Sequence, residues 1–218
     1  MQLILATHNK HKIKEIADVI KHPQIEVKSL LDYEVELPPE TGATFIENAV
    51  VKARTVYKFL LTYQRTPPLL PRRAGIEPSH QWILADDSGL IVDALDGRPG
   101  VYSSRYSGEP VDYARNNKKL LGELAGVPKE KRTAHFICSM ILIDPNGKEY
   151  EIEGRVSGRI ADKESGAGGF GYDPIFYLPD RNCTIAELPL SEKSKISHRG
   201  LAAKKALEIM VKTVNGSL

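Results

Sequence analysis

The chain has 218 residues, of which 41% are hydrophobic and 27% are charged, and its formal net charge is +2. This length and composition are typical of a globular protein with one domain and a sizeable core. The small net charge argues against a general nucleic-acid binder, and no apolar run approaches the ~20 residues that a membrane-spanning helix needs. We therefore expect neither a nucleic-acid nor a membrane partner.

Two features bear on the cellular compartment. Residues 2–6 are typical of a strand, with neither a charged n-region nor a signal-peptide cleavage site. Cys138 and Cys183 belong to no CxxC or Cys/His motif, and Cys138 lies in an apolar stretch. We expect a buried thiol in a reducing cytosol, and hence a cytoplasmic localisation.

The first predicted strand runs into a polar loop and then a helix, in which Ile13, Ile16 and Ile20 recur at helical spacing. A helix N-terminus after a strand favours an anion, through its backbone N–H groups and its dipole. Asn9 can cap this helix. We predict that phosphate binds to the loop residues Thr7, His8, Asn9, Lys10, His11 and Lys12. A solvated lysine face is the alternative explanation of these charges.

A second strand is predicted over the apolar positions Ile25 and Val27, before a helix that opens with Thr44 and Glu47. These two residues fit a capping box, in which the glutamate bonds back to the cap. Glu47 could also face a bound cation from the first helical turn. Residues 62–81 contain four prolines and three arginines, which predict an extended surface loop.

Two adjacent carboxylates, Asp86 and Asp87, lie between two apolar runs. The runs Trp82–Ala85 and Leu90–Ala94 predict buried strands, with a tight turn between them. Neighbouring carboxylates repel each other unless a cation lies between them, and the usual cation for hard oxygen ligands is a divalent metal. The alternative is simple turn chemistry, because Asp-Ser-Gly favours turns without any ligand.

The strongest β signal follows an amphipathic helix that is predicted over residues 110–124. Residues 133–143 are rich in β-formers and mostly apolar, residues 144–147 form a turn, and residues 149–156 alternate charged with apolar side chains. This pattern predicts a long hairpin with one face on the core and the other in solvent.

An aromatic loop and a basic helix start complete the set of candidate residues. Glycines around Phe170 permit a flat ligand to approach, so the ring could stack on a base or, alternatively, anchor the loop in the core. Thr184 and Glu187 fit a second capping box. Lys193 and residues 198–199 (His and Arg) place hydrogen-bond donors near the start of the last helix, where a surface role is the alternative.

Together these groups resemble the parts of a nucleoside-triphosphate site: lysines for phosphates, acids for a hard cation, an aromatic plate and hydrogen-bond donors. The site has no Walker A loop, because GxxxxGK[ST] is absent from the sequence. The sequence also has no His/Cys grouping for zinc and no GxSxG nucleophile elbow.

The chain resembles the inosine triphosphate pyrophosphatase family, which removes non-canonical purine nucleoside triphosphates. The matching segments, in matching order, are Thr7–Lys12, Glu47–Ala49, Ala85–Leu90, Gly97–Tyr106, Gly168–Phe176, Glu192–Lys193 and Ser197–Gly200. They run nearly from end to end. The departure is the segment around 62–81, where the family usually passes from helix to strand in a few residues.

The resemblance implies an α/β fold: a long, mixed, twisted sheet flanked by helices, with two lobes and the active site in the cleft between them. It implies a single domain over residues 1–218, with the loop at about 62–81 as an insertion, and a homodimer. The implied reaction is Mg²⁺-dependent hydrolysis of a nucleoside triphosphate between the α- and β-phosphorus, which gives the monophosphate and pyrophosphate.

The resemblance also implies roles for individual residues. Glu47 and Asp87 would bind the metal with Asp86 nearby, and Asp87 would also be the base that activates water. Ser88 and the loop of residues 7–12 would hold phosphates. The remaining substrate-binding residues would be Phe170, Gly171, Tyr172, Asp173, Lys193, His198 and Arg199, with Phe170 stacked on the purine.

Base selectivity has a physical rationale in this assignment. Hypoxanthine and xanthine present an oxygen at position 6, where adenine presents an amino group, and Lys193 and Arg199 offer only donors. ITP, dITP and XTP are therefore the expected substrates and ATP a poor one. Two alternatives remain, a pyrophosphatase of different base preference and a nucleotide-binding protein without catalytic activity.

Overall fold

The structure is a computed structural model that describes residues 1–65 and 81–214. Its strands are β1 (Gln2–Leu5), β2 (Glu26–Ser29), β3 (Gln81–Val92), β4 (Thr133–Ile143), β5 (Glu149–Ile160), β6 (Phe176–Leu178) and β7 (Cys183–Thr184). Its helices are α1 (Lys10–Val19), α2 (Phe45–Arg65), α3 (Tyr113–Glu123), α4 (Leu190–Ile196) and α5 (His198–Val214). The strands form one mixed sheet in the order β2-β1-β3-β4-β5-β6-β7, flanked by helices. The predicted α/β fold is confirmed.

The chain divides into two compact units. Unit 1 comprises Met1–Asp87, Ser139–Ile152 and Lys204–Leu218, and unit 2 comprises Ser88–Cys138 and Glu153–Ala203. The boundary in β3 therefore falls between Asp87 and Ser88. Each unit has its own apolar core, as described below.

Unit 1 is built on parallel strands. Strand β1 pairs in parallel with β2 on one side and with β3 on the other. Helix α1 begins at the predicted cap, because Asn9 Oδ1 accepts hydrogen bonds from the backbone N–H groups of His11 at 2.9 Å and Lys12 at 3.3 Å. An apolar stripe of α2 that includes Ala49 and Ala53 packs into the core of this unit.

Unit 2 is built on antiparallel pairs, β5 with β6 and β6 with β7. Helix α3 lies within the predicted range 110–124 and begins at Asp112, whose Oδ1 accepts from Arg115 N at 3.0 Å. The core contains the rings of Phe136 and Phe176, whose centroids are 4.6 Å apart. The second predicted capping box is confirmed at residues 184–187.

The predicted hairpin is confirmed as β4 and β5, and two details differ. Strand β5 continues to Ile160, beyond the predicted residue 156. Residues 138–143 of β4 are all buried, so this strand has a solvated side only in its first half. The reason is that β4 is the fourth of seven strands, and a central strand that is covered on both faces loses the polar alternation.

The predicted turn at residues 86–89 is wrong. Strand β3 is continuous over Gln81–Val92, and Asp86 and Asp87 lie within it, 2% and 6% exposed. Polar residues interrupt the apolar pattern without interrupting the strand, because buried cations compensate the carboxylates.

The predicted loop at 62–81 is also wrong at its edges. Helix α2 extends to Arg65, and β3 already begins at Gln81. Residues 66–80 lie outside the described residues. Within the described ranges, no helix is long and apolar enough to span a membrane. Cys138 is buried as predicted, and neither it nor Cys183 forms a disulfide.

Candidate functional site

Unit 1 contains a buried lysine surrounded by acids. We call this group the carboxylate cluster and define it as Glu40, Lys52, Asp86 and Asp87. The Lys52 ammonium donates to Glu40 Oε1 at 2.7 Å and to the backbone carbonyl of Asp86 at 2.5 Å. It also lies 4.0 Å from Asp87 Oδ1. Lys52 is only 5% exposed, so the protein supplies an internal cation to its own acids.

The charges of the carboxylate cluster shift one another's pKa values. Burial raises the pKa of the Asp87 carboxyl above its usual value, although the Lys52 ammonium opposes this effect. Burial alone would lower the pKa of Lys52, but the neighbouring acids hold it above its usual value. Burial would raise the pKa of Glu40, but the Lys52 and Lys12 ammonium groups together hold it below its usual value. The pKa of Asp87 is therefore shifted in the direction of a general base, and that of Glu40 away from it.

A second buried side chain, Asn48, holds Asp87 in place. Asn48 Nδ2 donates to Asp87 Oδ2 at 2.8 Å, and Asn48 Oδ1 accepts from the Gly42 backbone N–H at 2.8 Å. Asn48 is 3% exposed. The amide thus connects the Asp87 carboxylate to the loop before α2.

The predicted phosphate loop, residues 7–12, contacts the carboxylate cluster through one side chain. Lys12 Nζ lies 3.0 Å from Asp86 Oδ2. Thr7 Oγ1 accepts from Asn9 N at 3.1 Å, so these two residues shape the loop. The side chains of His8, Lys10 and His11 are exposed. Phosphate binding by the loop stays a prediction.

Glu47 lies in the first turn of α2 and is exposed. The threonine half of its predicted capping box is confirmed, because Thr44 Oγ1 accepts from Glu47 N at 3.3 Å. The glutamate half differs, since Glu47 Oε2 accepts from Ala43 N at 2.7 Å rather than from Thr44 N. Its role as a metal ligand stays a prediction. Glu40, which the sequence analysis did not single out, interacts electrostatically with both aspartates of the carboxylate cluster.

Unit 2 contains the second group, which we call the Phe170 site and define as Phe170, Asp173, Lys193 and Arg199. Asp173 Oδ2 accepts both the Phe170 backbone N–H, at 2.7 Å, and the Lys193 ammonium. Lys193 Nζ and Arg199 Cζ lie 5.2 Å and 5.4 Å from the centroid of the Phe170 ring. The ring is half-buried and does not belong to the apolar core of unit 2. Its environment is therefore cationic, and the core-anchor alternative is not supported.

The loop of the Phe170 site depends on glycine and on a buried tyrosine. Gly169 has φ +72, and a Cβ at this position would lie 2.0 Å from Asp173 Oδ2, so only glycine fits. The Tyr172 ring is part of the core of unit 2, and its hydroxyl donates to the Ser103 carbonyl at 2.9 Å. The Tyr172 side chain thus has a structural role. Substrate contacts by Gly171 and Tyr172 stay predictions.

The start of α5 fixes the two remaining predicted residues. Arg199 is 2% exposed, and its Nη2 donates to Ser88 Oγ at 2.6 Å. His198 is 5% exposed and stacks on Phe136, with centroids 4.6 Å apart and an interplanar angle of 15°. A Cβ on Gly200 would lie 1.9 Å from the Ser194 carbonyl oxygen, so this glycine permits the close junction of α4 and α5. Arg199 and Ser88 were predicted separately, and the structure brings them together.

The sequence analysis missed three residues of unit 1: Glu40, Asn48 and Lys52. A signal for two of them exists in the sequence. Asn48 and Lys52 are four positions apart, and each is followed by a buried alanine of the apolar stripe. Two polar residues with i, i+4 spacing beside an apolar stripe lie on one helix face and need partners when buried.

The carboxylate cluster offers hard oxygen atoms that suit a cation such as Mg²⁺. Within residues 1–65 and 81–214, no group of three or more His, Cys, Asp or Glu side chains is arranged to hold a metal ion alone. This combination fits a cation that binds through one or two carboxylates and completes its coordination with substrate phosphates. It does not fit a structural zinc centre.

The fold and the two groups define a class of protein. This is an α/β protein with two acids on a strand of its sheet, an internal cation on helix α2, and an aromatic ring flanked by two cations. The first group suits a phosphorylated ligand with a bound cation, and the second suits a flat ring with oxygen acceptors.

The sequence model of the Ham1 family matches residues 3–209. The dITP/XTP pyrophosphatase of Desulforamulus reducens is 45% identical over 214 residues, which is 96% of each chain. That of Bacillus subtilis is 42% identical, again over 96% of each chain. The structure of a HAM1 protein from Coxiella burnetii has a TM-score of 0.78 and 34% identity, and the match covers 97% of this chain and 99% of that one. The chain belongs to the Ham1 family.

Proposed function

We propose that the protein is a nucleoside-triphosphate pyrophosphatase that converts ITP, dITP and XTP to the monophosphate and pyrophosphate, and so removes non-canonical purines from the nucleotide pool. The names of its relatives support this activity. The observation that carries the proposal is the carboxylate cluster, in which a buried ammonium holds Asp86 and Asp87 on one strand.

Unit 1 supplies the groups for the phosphates and the attacking water. Lys12, which is held at 3.0 Å by Asp86, offers an ammonium to phosphate oxygens, together with the N–H groups of the loop before α1. Asp87 accepts the proton of the water that attacks the α-phosphorus. Without a bound cation, burial raises the pKa of Asp87 above its usual value, and a general base works best when its pKa approaches the working pH.

The cation of this reaction is Mg²⁺ in our proposal, held by Asp87 and by either Glu47 or Glu40, with Asp86 nearby and substrate phosphates completing the coordination. Bound there, Mg²⁺ would acidify the attacking water and neutralise phosphate charge. Of the two glutamates, Glu40 has the better support, because its carboxylate interacts with both aspartates while Glu47 bonds to the backbone of Ala43. Lys52 keeps the acids compensated when no cation is bound.

Unit 2 supplies the groups for the base. Phe170 stacks on the purine, and Lys193 and Arg199 donate to its 6-oxo group. Asp173 orients the loop of Phe170 and the lysine, since its carboxylate accepts from the Phe170 backbone N–H and from the Lys193 ammonium. His198 lies beside Arg199 and completes the donor set. Adenine would leave these donors without an acceptor, and sites of this kind reject the wrong partner by ~10⁴-fold.

The test is the release of pyrophosphate from ITP, dITP, XTP and ATP, each with and without Mg²⁺. We expect rapid release from the first three only when Mg²⁺ is present, with pyrophosphate rather than orthophosphate as the product. Equal turnover of ATP and ITP would contradict the base recognition. Binding of ITP without turnover would favour a nucleotide-binding protein instead.

We also propose that residues 1–218 form a single domain, and that the protein is cytoplasmic and acts as a homodimer. Exposed apolar side chains support self-association, since Tyr102 is 60% and Val111 50% exposed. Light scattering across a tenfold range of concentration tests the oligomeric state, and a constant monomer mass would contradict it.

A further inference from the structure

Asn48 connects Asp87 to the loop before α2 through hydrogen bonds at both ends of its amide. Its donor group, Nδ2, faces the Asp87 carboxylate at 2.8 Å. Its acceptor group, Oδ1, faces the Gly42 N–H at the same distance. Among the short side chains, only asparagine offers one donor and one acceptor on a planar group.

The backbone at Gly42 lies so close to the Asn48 amide that residue 42 has no space for a side chain. A Cβ on residue 42 would lie 2.7 Å from Asn48 Oδ1 and 2.8 Å from Glu47 Cβ. Gly42 has an ordinary φ, so the crowding, and not backbone strain, excludes a side chain there. Glycine at this position therefore lets the loop approach close enough to bond to Asn48.

The loop that Asn48 holds also carries Glu40, two residues before Gly42. Glu40 Oε1 accepts from Lys52 at 2.7 Å, and Lys52 follows Asn48 by one turn of α2. Two neighbouring side chains of α2 thus reach the same two places: Lys52 contacts Glu40 and Asp87, and Asn48 contacts Gly42 and Asp87. Lys52 acts by charge, whereas the Asn48 amide has a fixed direction.

We propose that Asn48 is a positioning residue that sets the direction of the Asp87 carboxylate and its distance from the loop of Glu40. The hydrogen bond that Asn48 Nδ2 donates fixes Asp87 Oδ2, while Oδ1 faces the Lys52 ammonium at 4.0 Å. This inference rests on the proposed function and deepens it. It assigns to a neutral side chain the alignment of the acid that accepts the proton.

The first experiment compares Asn48→Ala with Asn117→Ala. Asn117 is a matched control, because it is also 3% exposed and donates through Nδ2 to a carboxylate, that of Glu164 at 3.1 Å, in unit 2. We expect Asn48→Ala to lower kcat for ITP by about 10²-fold while KM changes less than about 3-fold, since misplacement of a reacting group costs rate rather than binding. Asn117→Ala should lower the melting temperature similarly and change kcat less than about 3-fold.

The second variant moves the amide without removing it. In Gly42→Ala the new methyl displaces Asn48 Oδ1 and also crowds Glu47 Cβ, and we expect kcat to fall by about 10-fold. A readout that does not depend on turnover is the binding of the α,β-methylene analogue of ITP with Mg²⁺, measured by calorimetry. Its affinity should change less than about 3-fold in either variant, as for a residue that aligns Asp87 rather than binding the substrate.

Three outcomes would overturn the inference. The first is a kcat of Asn48→Ala within 3-fold of wild type, which would make Asn48 structural only. The second is a loss carried by KM and by analogue binding, which would make Asn48 a substrate ligand. The third is an equal loss of kcat in Asn117→Ala. If the wild-type protein releases no pyrophosphate from ITP, the proposed function is refuted. If it does release pyrophosphate, the comparison of the variants tests the role of Asn48 alone.

Discussion

The carboxylate cluster and the Phe170 site carry excess charges of opposite sign. In unit 1, three acids surround one ammonium, so the excess charge is negative and the buried cation, Lys52, limits the repulsion. In unit 2, two cations surround one ring and one acid, so the excess charge is positive and the buried carboxylate, Asp173, limits it. Each group thus contains one residue whose charge is opposite to that of the others: Lys52 in the carboxylate cluster and Asp173 in the Phe170 site.

This difference indicates how the work is divided. An excess of acids attracts cations and accepts protons, which suits the chemical step. An excess of donors around an aromatic ring selects flat rings with acceptor oxygens, which suits recognition. Variants of unit 1 should therefore change kcat at constant base preference, and variants of unit 2 should change KM and base preference.

The largest effect is expected for Asp87→Asn. The amide still accepts from Asn48 but accepts no proton from water, so kcat should fall by about 10³-fold. The ratio of the rates on ITP and ATP should stay constant, since unit 2 is unchanged. Pyrophosphate release under single-turnover conditions measures both. A variant that keeps more than a tenth of the wild-type rate would remove Asp87 from the chemical step.

Lys52→Met tests the internal counter-ion. Removing one partner of a buried ion pair leaves uncompensated acids, and we expect a loss of about 3 kcal/mol in unfolding free energy, measured by urea denaturation. The matched control is Arg54→Met on the same helix, because Arg54 pairs with Glu149 on the surface and should cost less than about 1 kcal/mol. Mg²⁺ should restore more stability to Lys52→Met than to wild type. Equal losses of unfolding free energy in the two variants would show that Lys52 compensates the acids no more than a surface ion pair does.

Phe170→Ala tests the aromatic plate. Base stacking on an aromatic side chain contributes about 1–3 kcal/mol, so KM for ITP should rise by about 10- to 100-fold with a smaller change in kcat. Phe170→Trp keeps a stacking surface and serves as the control that should retain a near-native KM. A loss confined to kcat would place the ring in the chemical step. It would contradict the assignment of catalysis to unit 1 and of base recognition to unit 2.

Ser88→Ala should have the smallest effect. It removes the hydroxyl that accepts from Arg199 at 2.6 Å, and a hydrogen bond to a charged group is worth about 1.5 kcal/mol, or roughly 10-fold in kcat/KM. Because Arg199 loses an anchor, the preference for ITP over ATP should weaken as well. Ser157→Ala, on the exposed side of β5, is the control that should change neither. An unchanged preference in Ser88→Ala would show that Ser88 acts on phosphate alone.

Features that depend on neighbouring residues could be predicted from the sequence. The Asn9 cap, the Thr184–Glu187 capping box and the β4–β5 hairpin are set by side chains a few positions apart. The candidate acids Asp86 and Asp87 were found because two adjacent carboxylates in an apolar run need an explanation wherever they lie.

Features that depend on tertiary contacts could not be predicted from the sequence. The sequence around Asp86 and Asp87 predicts a turn because Asp-Ser-Gly favours turns, whereas the folded chain brings Lys52 to Asp86 from 34 positions away. The partnership of Arg199 with Ser88 joins residues 111 positions apart. Neither spacing has any signature in the sequence.

The buried ammonium of Lys52 has a consequence for the state without metal. Domains whose acids or thiols are satisfied by an ion alone unfold when a chelator withdraws it. Here a covalently attached charge stays in place when the ion leaves, so EDTA should stop turnover and leave the circular dichroism spectrum unchanged. We therefore expect the protein to be fully folded before the metal ion and the nucleotide bind.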